Sequence, residues 1–344
     1  LSDGRISALT PFLPIDDPSR VAEVRRLAIA LANEEGLDAA CAANAGLIAT
    51  EMATNLLKHA REGEIQIARL SPQGFPGLDL LSIDRGPGIL DLQKCFADGF
   101  STAGTPGTGL GAVARNSGVF DAYSEHGKGT VIMSRIVGRG KRADNLEDGL
   151  IIGSAGRPVS GEEVSGDSWA VRESPQASFF IVADGLGHGV HAAQASQEAI
   201  SAFRTSFETT PAAILQRVHR ALRGTRGAAV AIAKVDRKER RIYYAGIGNI
   251  SGLILGSAKA QQMISHNGTA GHEALRFQEF VYPFPESAIL IMHSDGLTTS
   301  WNLDAYPGIR RHHPAIIAAT LYRDATRKRD DVCVVAAKED VHER

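Results

Sequence analysis

The sequence predicts an α+β protein of two domains. Three observations carry that prediction: a length of 344 residues, a polar break near residue 140, and two sets of phosphate-handling motifs on either side of it. A chain this long exceeds one ordinary hydrophobic core. Residues 138–149, Gly-Arg-Gly-Lys-Arg-Ala-Asp-Asn-Leu-Glu-Asp-Gly, lack apolar periodicity and mark the boundary. The expected division is a first domain over 1–140, a linker over 141–149 and a second domain over 150–344.

Residues 21–32 repeat apolar positions at helical spacing, and an Ala-rich stretch over 39–60 predicts a second helix. Strands are expected at 64–70 and 77–83, joined by the turn-forming Ser71-Pro-Gln-Gly-Phe-Pro-Gly77. A Gly/Thr-rich loop over 98–109 leads into a helix at 110–118, and 130–137 reads as a strand. Beyond the break, 150–153 is strand-like, and Phe179-Phe-Ile-Val-Ala183 suits a strand buried on both faces. Helices are expected at 190–207 and 211–223, and strands at 228–235, 241–247, 252–256, 288–293 and 332–337. Several strands separated by a few helices indicate an α+β layered domain.

Composition removes several function classes. A formal net charge of −2 gives no electrostatic reason for nucleic acid or an anionic membrane as partner. No apolar run reaches the roughly 18–20 residues that span a bilayer, and no basic-then-apolar leader opens the sequence. The three cysteines, Cys41, Cys95 and Cys333, are far apart in apolar contexts and read as buried thiols, which suits a cytoplasmic protein.

The first motif set describes a nucleotide pocket. Glu51, Asn55 and His59 recur every four residues and share one helix face. Asn55 offers a neutral oxygen to Mg²⁺, and Glu51 could act as general base toward an incoming hydroxyl. Asp84-Arg-Gly-Pro-Gly88 follows a strand; its carboxylate can accept from an exocyclic amine such as that of adenine, while Gly86 and Gly88 let the backbone turn tightly. Gly107-Thr108-Gly109-Leu110-Gly111 opens a helix whose free N–H groups suit phosphate.

The second set describes a pair of metals. Metal-assisted phosphate hydrolysis uses two divalent cations, one activating water and both countering phosphoryl charge. Asp167, Asp184, Asp295 and Asp330 are hard oxygen donors, three of them beside expected strands, and no cysteine or histidine cluster offers a zinc alternative.

Order and spacing then point to known families. The run Glu51…Asn55…Asp84-x-Gly86-x-Gly88…Gly107-x-Gly109-x-Gly111…Gly127-Lys-Gly-Thr130 resembles the GHKL ATPase family over roughly residues 20–137. Within it, Asp98-Gly-Phe-Ser-Thr-Ala-Gly104 and Gly109-Leu-Gly-Ala-Val113 are similar to the RsbT-type and anti-sigma-factor serine/threonine kinases of bacterial stress switches. The resemblance implies a Bergerat α/β sandwich that binds ATP and Mg²⁺. Asn55 would stand on Mg²⁺, Asp84 on adenine with Thr130 beside it, Glu51 as catalytic base, and a lid near 95–108. The chain lacks a phospho-acceptor helix pair before the pocket, which argues against a histidine kinase.

Gly166-Asp167, Asp184-Gly-Leu-Gly-His-Gly189, His293-Ser-Asp295-Gly and Arg329-Asp330-Asp331-Val resemble the PPM metal-dependent protein phosphatases of the SpoIIE branch, nearest the small RsbX-like members. That resemblance implies an αββα sandwich holding two Mn²⁺ or Mg²⁺. Asp184 would bridge both ions, the Gly185 carbonyl would hold one, and Asp167, Asp295 and Asp330 would complete the set, with Asp331 the alternative to Asp330. His188 is either a turn residue or a proton donor to the leaving alcohol. No confident counterpart exists of the arginine that some relatives use to hold substrate phosphate; Arg157, Arg172 and Arg329 are the candidates.

Together the resemblances imply a bifunctional regulator of partner switching. A kinase module and a phosphatase module would act on a STAS-domain phosphoprotein, with a sigma factor or other downstream regulator as a further partner. The alternative keeps the phosphatase and makes the first domain an ATP-sensing or sigma-factor-binding module.

Overall fold

The computed structural model describes residues 10–70, 76–96, 109–138, 149–174, 176–256, 260–272 and 276–339. The expected linker over 141–149 lies almost entirely outside the described residues.

The first module is one antiparallel sheet with two long helices on one face. Helix α1 (Pro18–Glu34) starts where the Asp17 side chain accepts from Ser19 N, with Pro18 fixing the first helical position. Helix α2 (Ala39–His59) starts where Asp38 accepts from Cys41 N at 2.7 Å. Its buried residues Ala45, Ile48, Ala49, Met52, Ala53 and Leu56 form the helical stripe read from the sequence and face the sheet. The strands are β1 (Leu13–Pro14), β2 (Glu64–Arg69), β3 (Gly77–Ile83), β4 (Val119–Glu125) and β5 (Gly129–Val137), in the order β1-β2-β3-β5-β4. Short helices α3 (Leu92–Phe96) and α4 (Gly109–Asn116) lie between β3 and β4. Every residue of β3 is buried, so this sheet is covered on both faces.

The second module is a pair of facing sheets. One contains β7 (Asp167–Glu173), β8 (Ala177–Gly185), β9 (Ala228–Asp236), β10 (Arg241–Ile247) and β13 (Phe280–Pro283), in the order β13-β10-β9-β8-β7. The other contains β6 (Leu150–Arg157), β11 (Ser251–Leu255), β12 (Ala260–Met263), β14 (Ile289–His293) and β15 (Val332–Glu339), in the order β12-β11-β14-β15-β6. Trp169, Phe180, Tyr244, Met292 and Val335 pack between them. Helices α5 (Val190–Arg204) and α6 (Pro211–Ala221) cover the outer face of the first of these sheets.

Helix α7 (Pro314–Ala325) covers the outer face of the other sheet, completing the αββα order. No helix was expected there from the sequence. All its residues except Asp324 are buried, because α7 is sandwiched between the second module and the free face of the first module's sheet. A helix buried all round shows no amphipathic period, so the usual signal was missing. Gly153 of β6 permits the contact: a Cβ there would stand 2.0 Å from Ala315 N.

One apolar cluster therefore crosses the module boundary. It joins Phe12, Leu81, Ile83, Val131 and Met133 to Ile316, Leu321, Tyr322, Ile291 and Val334. The Phe12 and Tyr322 rings stack with centroids 4.2 Å apart. Polar ties surround the cluster. Arg135 donates twice to Asp79, at 2.7 and 2.8 Å, and again to Ile152 O of the second module at 3.0 Å. Asp121 accepts from His312 Nδ1 and from His313 N.

The thiols differ in part from expectation. Cys333 is buried, whereas Cys41 and Cys95 are half-buried near the module surface. No helix of the described residues is long and apolar enough to cross a membrane.

Candidate functional sites

The nucleotide motifs gather around the second half of α2: Gly109 lies beside Glu51 and Asn55, and Gly86 beside His59 O at the helix end. Helix α2 carries Glu51 and Asn55 on the face turned toward the start of α4. A Cβ on Gly109 would stand 3.3 Å from Asn55 Oδ1 and 3.5 Å from Glu51 Oε2, so glycine lets the α4 backbone approach both. Asn55 Nδ2 is buried without a hydrogen-bond partner in the protein, and such an atom calls for a ligand or water. Leu110 is half-buried and Gly111 buried on α4. Gly107, Thr108 and most of the lid expected over 95–108 lie outside the described residues.

Asp84 follows β3 near the C-terminal end of α2. Its carboxylate accepts from Gly86 N at 2.6 Å, and its own N–H donates to Thr130 O at 3.0 Å. Thr130 is buried, with its hydroxyl 3.0 Å from Ser124 Oγ. Burial pushes the Asp84 carboxyl up, opposed by the Gly86 amide and by the Arg323 charge of α7. Two glycines make this corner possible. At Gly129, φ is +92° and a Cβ would lie 1.9 Å from Asp84 O; at Gly88, φ is +74° and a Cβ would lie 2.3 Å from Glu125 O. The Asp84 corner is thus a backbone surface with one half-buried carboxylate.

The aspartates converge at one end of the paired sheets. Asp167 and Asp184 sit directly opposite one another across β7 and β8. Like charges facing across an antiparallel pair destabilise it unless something neutralises them. Asp167 is almost fully buried; its Oδ2 accepts from Ser294 Oγ at 2.6 Å, and its Oδ1 is buried with no partner in the protein. Burial, then the Asp184 charge, pushes Asp167 well above the ordinary carboxylate range. Asp184 is pushed up to about 8, by burial first and then by Asp295, Asp330 and Asp331.

Asp295 follows β14, and Asp330 and Asp331 precede β15, the neighbouring strand. The pair of adjacent aspartates divides its labour. Both Asp331 oxygens are committed to backbone amides, Oδ1 to Val159 N at 2.8 Å and Oδ2 to Gly166 N at 2.9 Å. Asp330 takes only the Asp331 amide, at 2.9 Å. Among the described residues, no three acidic, histidine or cysteine side chains already close around one point as a ready-made metal cage. Mutual repulsion holds neighbouring carboxylates apart unless a cation joins them. The orphaned Asp167 oxygen and the opposed Asp167–Asp184 pair fit divalent cations.

Several supporting residues escaped the sequence reading. Ser294 links the two sheets, donating to Asp167 and accepting from Cys333 N at 3.0 Å. Asn249 Nδ2 donates to Asp295 Oδ2 at 2.6 Å. His188 Nδ1 donates to Glu162 Oε1 at 2.7 Å, and His188 is otherwise exposed beside the cluster. Only Ser294 carried a signal, its place next to Asp295; Asn249 and Glu162 are lone polar residues in loops.

The arginine candidates separate cleanly. Arg157 turns away from the aspartates, toward Tyr322 of α7 and the first module. Arg172 donates to Ser206 O and Glu208 O and lies over the Phe179 and Phe203 rings, a surface-packing role. Arg329 stays exposed in the loop before Asp330.

Comparison with known proteins gives each half a relative. Residues 16–135 match the model of the histidine kinase-like ATPase domain, and residues 174–340 match that of stage II sporulation protein E (SpoIIE). The serine/threonine-protein kinase RsbT of Bacillus subtilis (strain 168) is 35% identical over 114 residues, covering 33% of this chain and 86% of RsbT. The chain is a member of the histidine kinase-like ATPase family fused to a SpoIIE-type phosphatase module. The phosphoserine phosphatase RsbX of the same organism is 25% identical over 154 residues, covering 44% of this chain and 73% of RsbX. A solved structure described as the bacterial stressosome, a modular system adapted to control secondary messenger signalling, superposes with a TM-score of 0.53 at 30% identity. It covers 56% of this chain and all of its own. An RsbT-type kinase module and a SpoIIE/RsbX-type phosphatase module therefore share one polypeptide, the architecture of a bifunctional partner-switching regulator.

Proposed function

We propose that this protein sets the phosphorylation state of a STAS-domain partner in the cytoplasm, adding phosphate to serine or threonine with the first module and removing it with the second. One observation carries the reading: two separate groups of side chains, each fitted to a different phosphate chemistry, stand in one folded unit. In the first, Glu51 and Asn55 face the start of α4 across a cleft walled by Asp84. Asn55 would hold Mg²⁺, Asp84 the adenine amine, and Gly107, Thr108, Gly109, Leu110 and Gly111 the phosphates. Glu51 would take the proton of the partner's hydroxyl as general base.

In the second, Asp167, Asp184, the Gly185 carbonyl, Asp295 and Asp330 would hold two Mn²⁺ or Mg²⁺. Asp330 is preferred to Asp331 because the Asp331 carboxylate already ties Val159 to Gly166. The cations supply an activated water and countercharge for the phosphoryl group. The chain's own part is to hold the carboxylates in place: Ser294 orients Asp167 and Asn249 orients Asp295.

Arg157 and Arg172 are turned to other tasks, which leaves the exposed Arg329 beside Asp330 as the remaining candidate to orient the substrate phosphate. Opposed reactions in one chain consume ATP to no end unless something biases them, so one module is expected to dominate under a given nucleotide or partner state.

The test uses each reaction alone. Mn²⁺-dependent hydrolysis of p-nitrophenyl phosphate should vanish in Asp184→Asn and survive in Glu51→Gln. ATP-dependent labelling of the partner should show the reverse. Hydrolysis that persisted in Asp184→Asn would refute the metal site. ATP binding without any labelling would reduce the first module to a sensor.

A further inference from the structure

Both candidate centres touch the same end of one helix. At the C-terminal end of α7, Arg323 is buried, and its guanidinium donates to Asp84 O at 3.3 Å. Arg85, the next residue of the nucleotide motif, returns the contact by donating to Arg323 O and to Asp324 Oδ1, the latter at 3.3 Å. Arg323 and Asp324 are themselves joined in a forked pair, with both bonds at 2.8 Å. The Asp84–Arg85 corner therefore cannot shift without pulling on the last turn of α7.

The residues just beyond that turn are bonded to the aspartate loops. Thr298 N donates to Ala325 O at 2.9 Å, and Arg327 N donates to Gly296 O at 2.8 Å. Leu297 and Thr326 form a β-bridge. Gly296, adjacent to Asp295, lies so close to the Asp331 backbone that a Cβ would stand 1.9 Å from Asp331 O. From Asp84 to Asp295 and Asp331 the path runs through one buried arginine, one helix end and two backbone hydrogen bonds. Close-packed contacts of this kind transmit displacement instead of absorbing it.

The remainder of the junction keeps that path stiff. The stacked Phe12–Tyr322 pair holds α7 against the first sheet, and Arg135, paired with Asp79, ties that sheet to Ile152 O of β6. Beside the path lies a cavity of about 210 Å³ lined by residues of both modules, Glu64, Arg85, Arg157, Tyr322, Arg323 and Lys328 among them.

We propose that the last turn of α7 couples the two centres, so that adenine nucleotide at Asp84 changes the arrangement of the Asp295 and Asp330–Asp331 loops. This inference rests on the nucleotide reading of the first cleft and assigns it a regulatory output. Linkage makes the effect reciprocal: cations at the aspartates alter nucleotide affinity by the same factor.

Hydrogen exchange on the full chain tests it, with and without ADP at one fixed free Mg²⁺ concentration. ADP should slow exchange at 84–88 and also alter it, by about fivefold or more, at 294–298 and 325–331. Arg323→Lys keeps the charge and loses the forked reach, and should retain the ADP effect at 84–88 while losing the distant one. Asp324→Asn, at a partly exposed site, should weaken the distant effect without disturbing the fold. An ADP effect confined to 84–88 in the wild type overturns the coupling and leaves the nucleotide reading standing. No ADP effect anywhere overturns both.

Discussion

The two centres are built on opposite physical plans. The proposed nucleotide site is defined by what is missing: glycines at 86, 88, 109 and 129 let backbone come close, and one half-buried carboxylate is placed to read the ligand. The aspartate centre is defined by excess, with like charges crowded at the end of two sheets and fixed by serine, asparagine and backbone amides. A site of absences is stable without its ligand and is damaged by adding atoms. A site of excess charge is strained without its cations and is relieved by removing a charge. The difference tells which substitutions cost function alone and which cost folding as well.

The largest expected effect sharpens that contrast. Asp184→Asn should lower metal-dependent hydrolysis by more than about a hundredfold, beyond the usual loss for a residue that merely orients a ligand. The same change should raise the melting temperature in chelator, because folding no longer forces the Asp184 carboxyl out of its ionised form against Asp167 across β7 and β8. A lower melting temperature there would break the contrast.

Gly129→Ala should do the reverse. Its Cβ would meet Asp84 O at 1.9 Å in a backbone with φ of +92°, and a loss of about 3 kcal/mol is expected. Urea unfolding measures it, and nucleotide affinity should fall with it.

Mn²⁺ should stabilise the wild type by about 2.7 kcal/mol for each ion bound at a hundredfold excess over its Kd, and leave Asp184→Asn little changed. Calorimetry with and without chelator gives both numbers.

The smallest effect concerns the junction. Burial, with the Arg135 and Lys338 charges, holds His313 well below the ordinary imidazole range, and its Nδ1 accepts from Ala315 N at the start of α7. The unfolded chain takes up that proton near pH 6.5 while the folded chain does not. The unfolded state then binds more protons, so this contribution is full above about pH 6.5 and is lost as pH falls toward the depressed folded value. Between pH 6.5 and 5.5 the loss should reach about 1 kcal/mol. His313→Asn keeps a capping oxygen and should flatten the slope.

The sequence was legible where a local pattern or a short motif sufficed. The α2 stripe, β3 over 77–83, β10 over 241–247 and the motif corners at Asp84 and Asp184 could all be read directly. What escaped depends on the fold as a whole. Helix α7 hides its period because both modules bury it, and β7 carries charged residues at both ends around Trp169. Arg157 stood among three candidates for a phosphate-holding arginine, yet strand alternation turns it to the α7 face. Asn249 is far from Asp295 in sequence, and only the pairing of strands brings them together.

The central claim is that opposed phosphoryl chemistries belong to separable centres of one chain. Intact-mass measurement of a STAS-domain partner, supplied phosphorylated and unphosphorylated with ATP and Mn²⁺, tests it most directly. The account expects mass gain on one form and loss from the other, with Glu51→Gln abolishing only the gain and Asp184→Asn only the loss. If either substitution abolished both, or neither, the two-centre account would be contradicted.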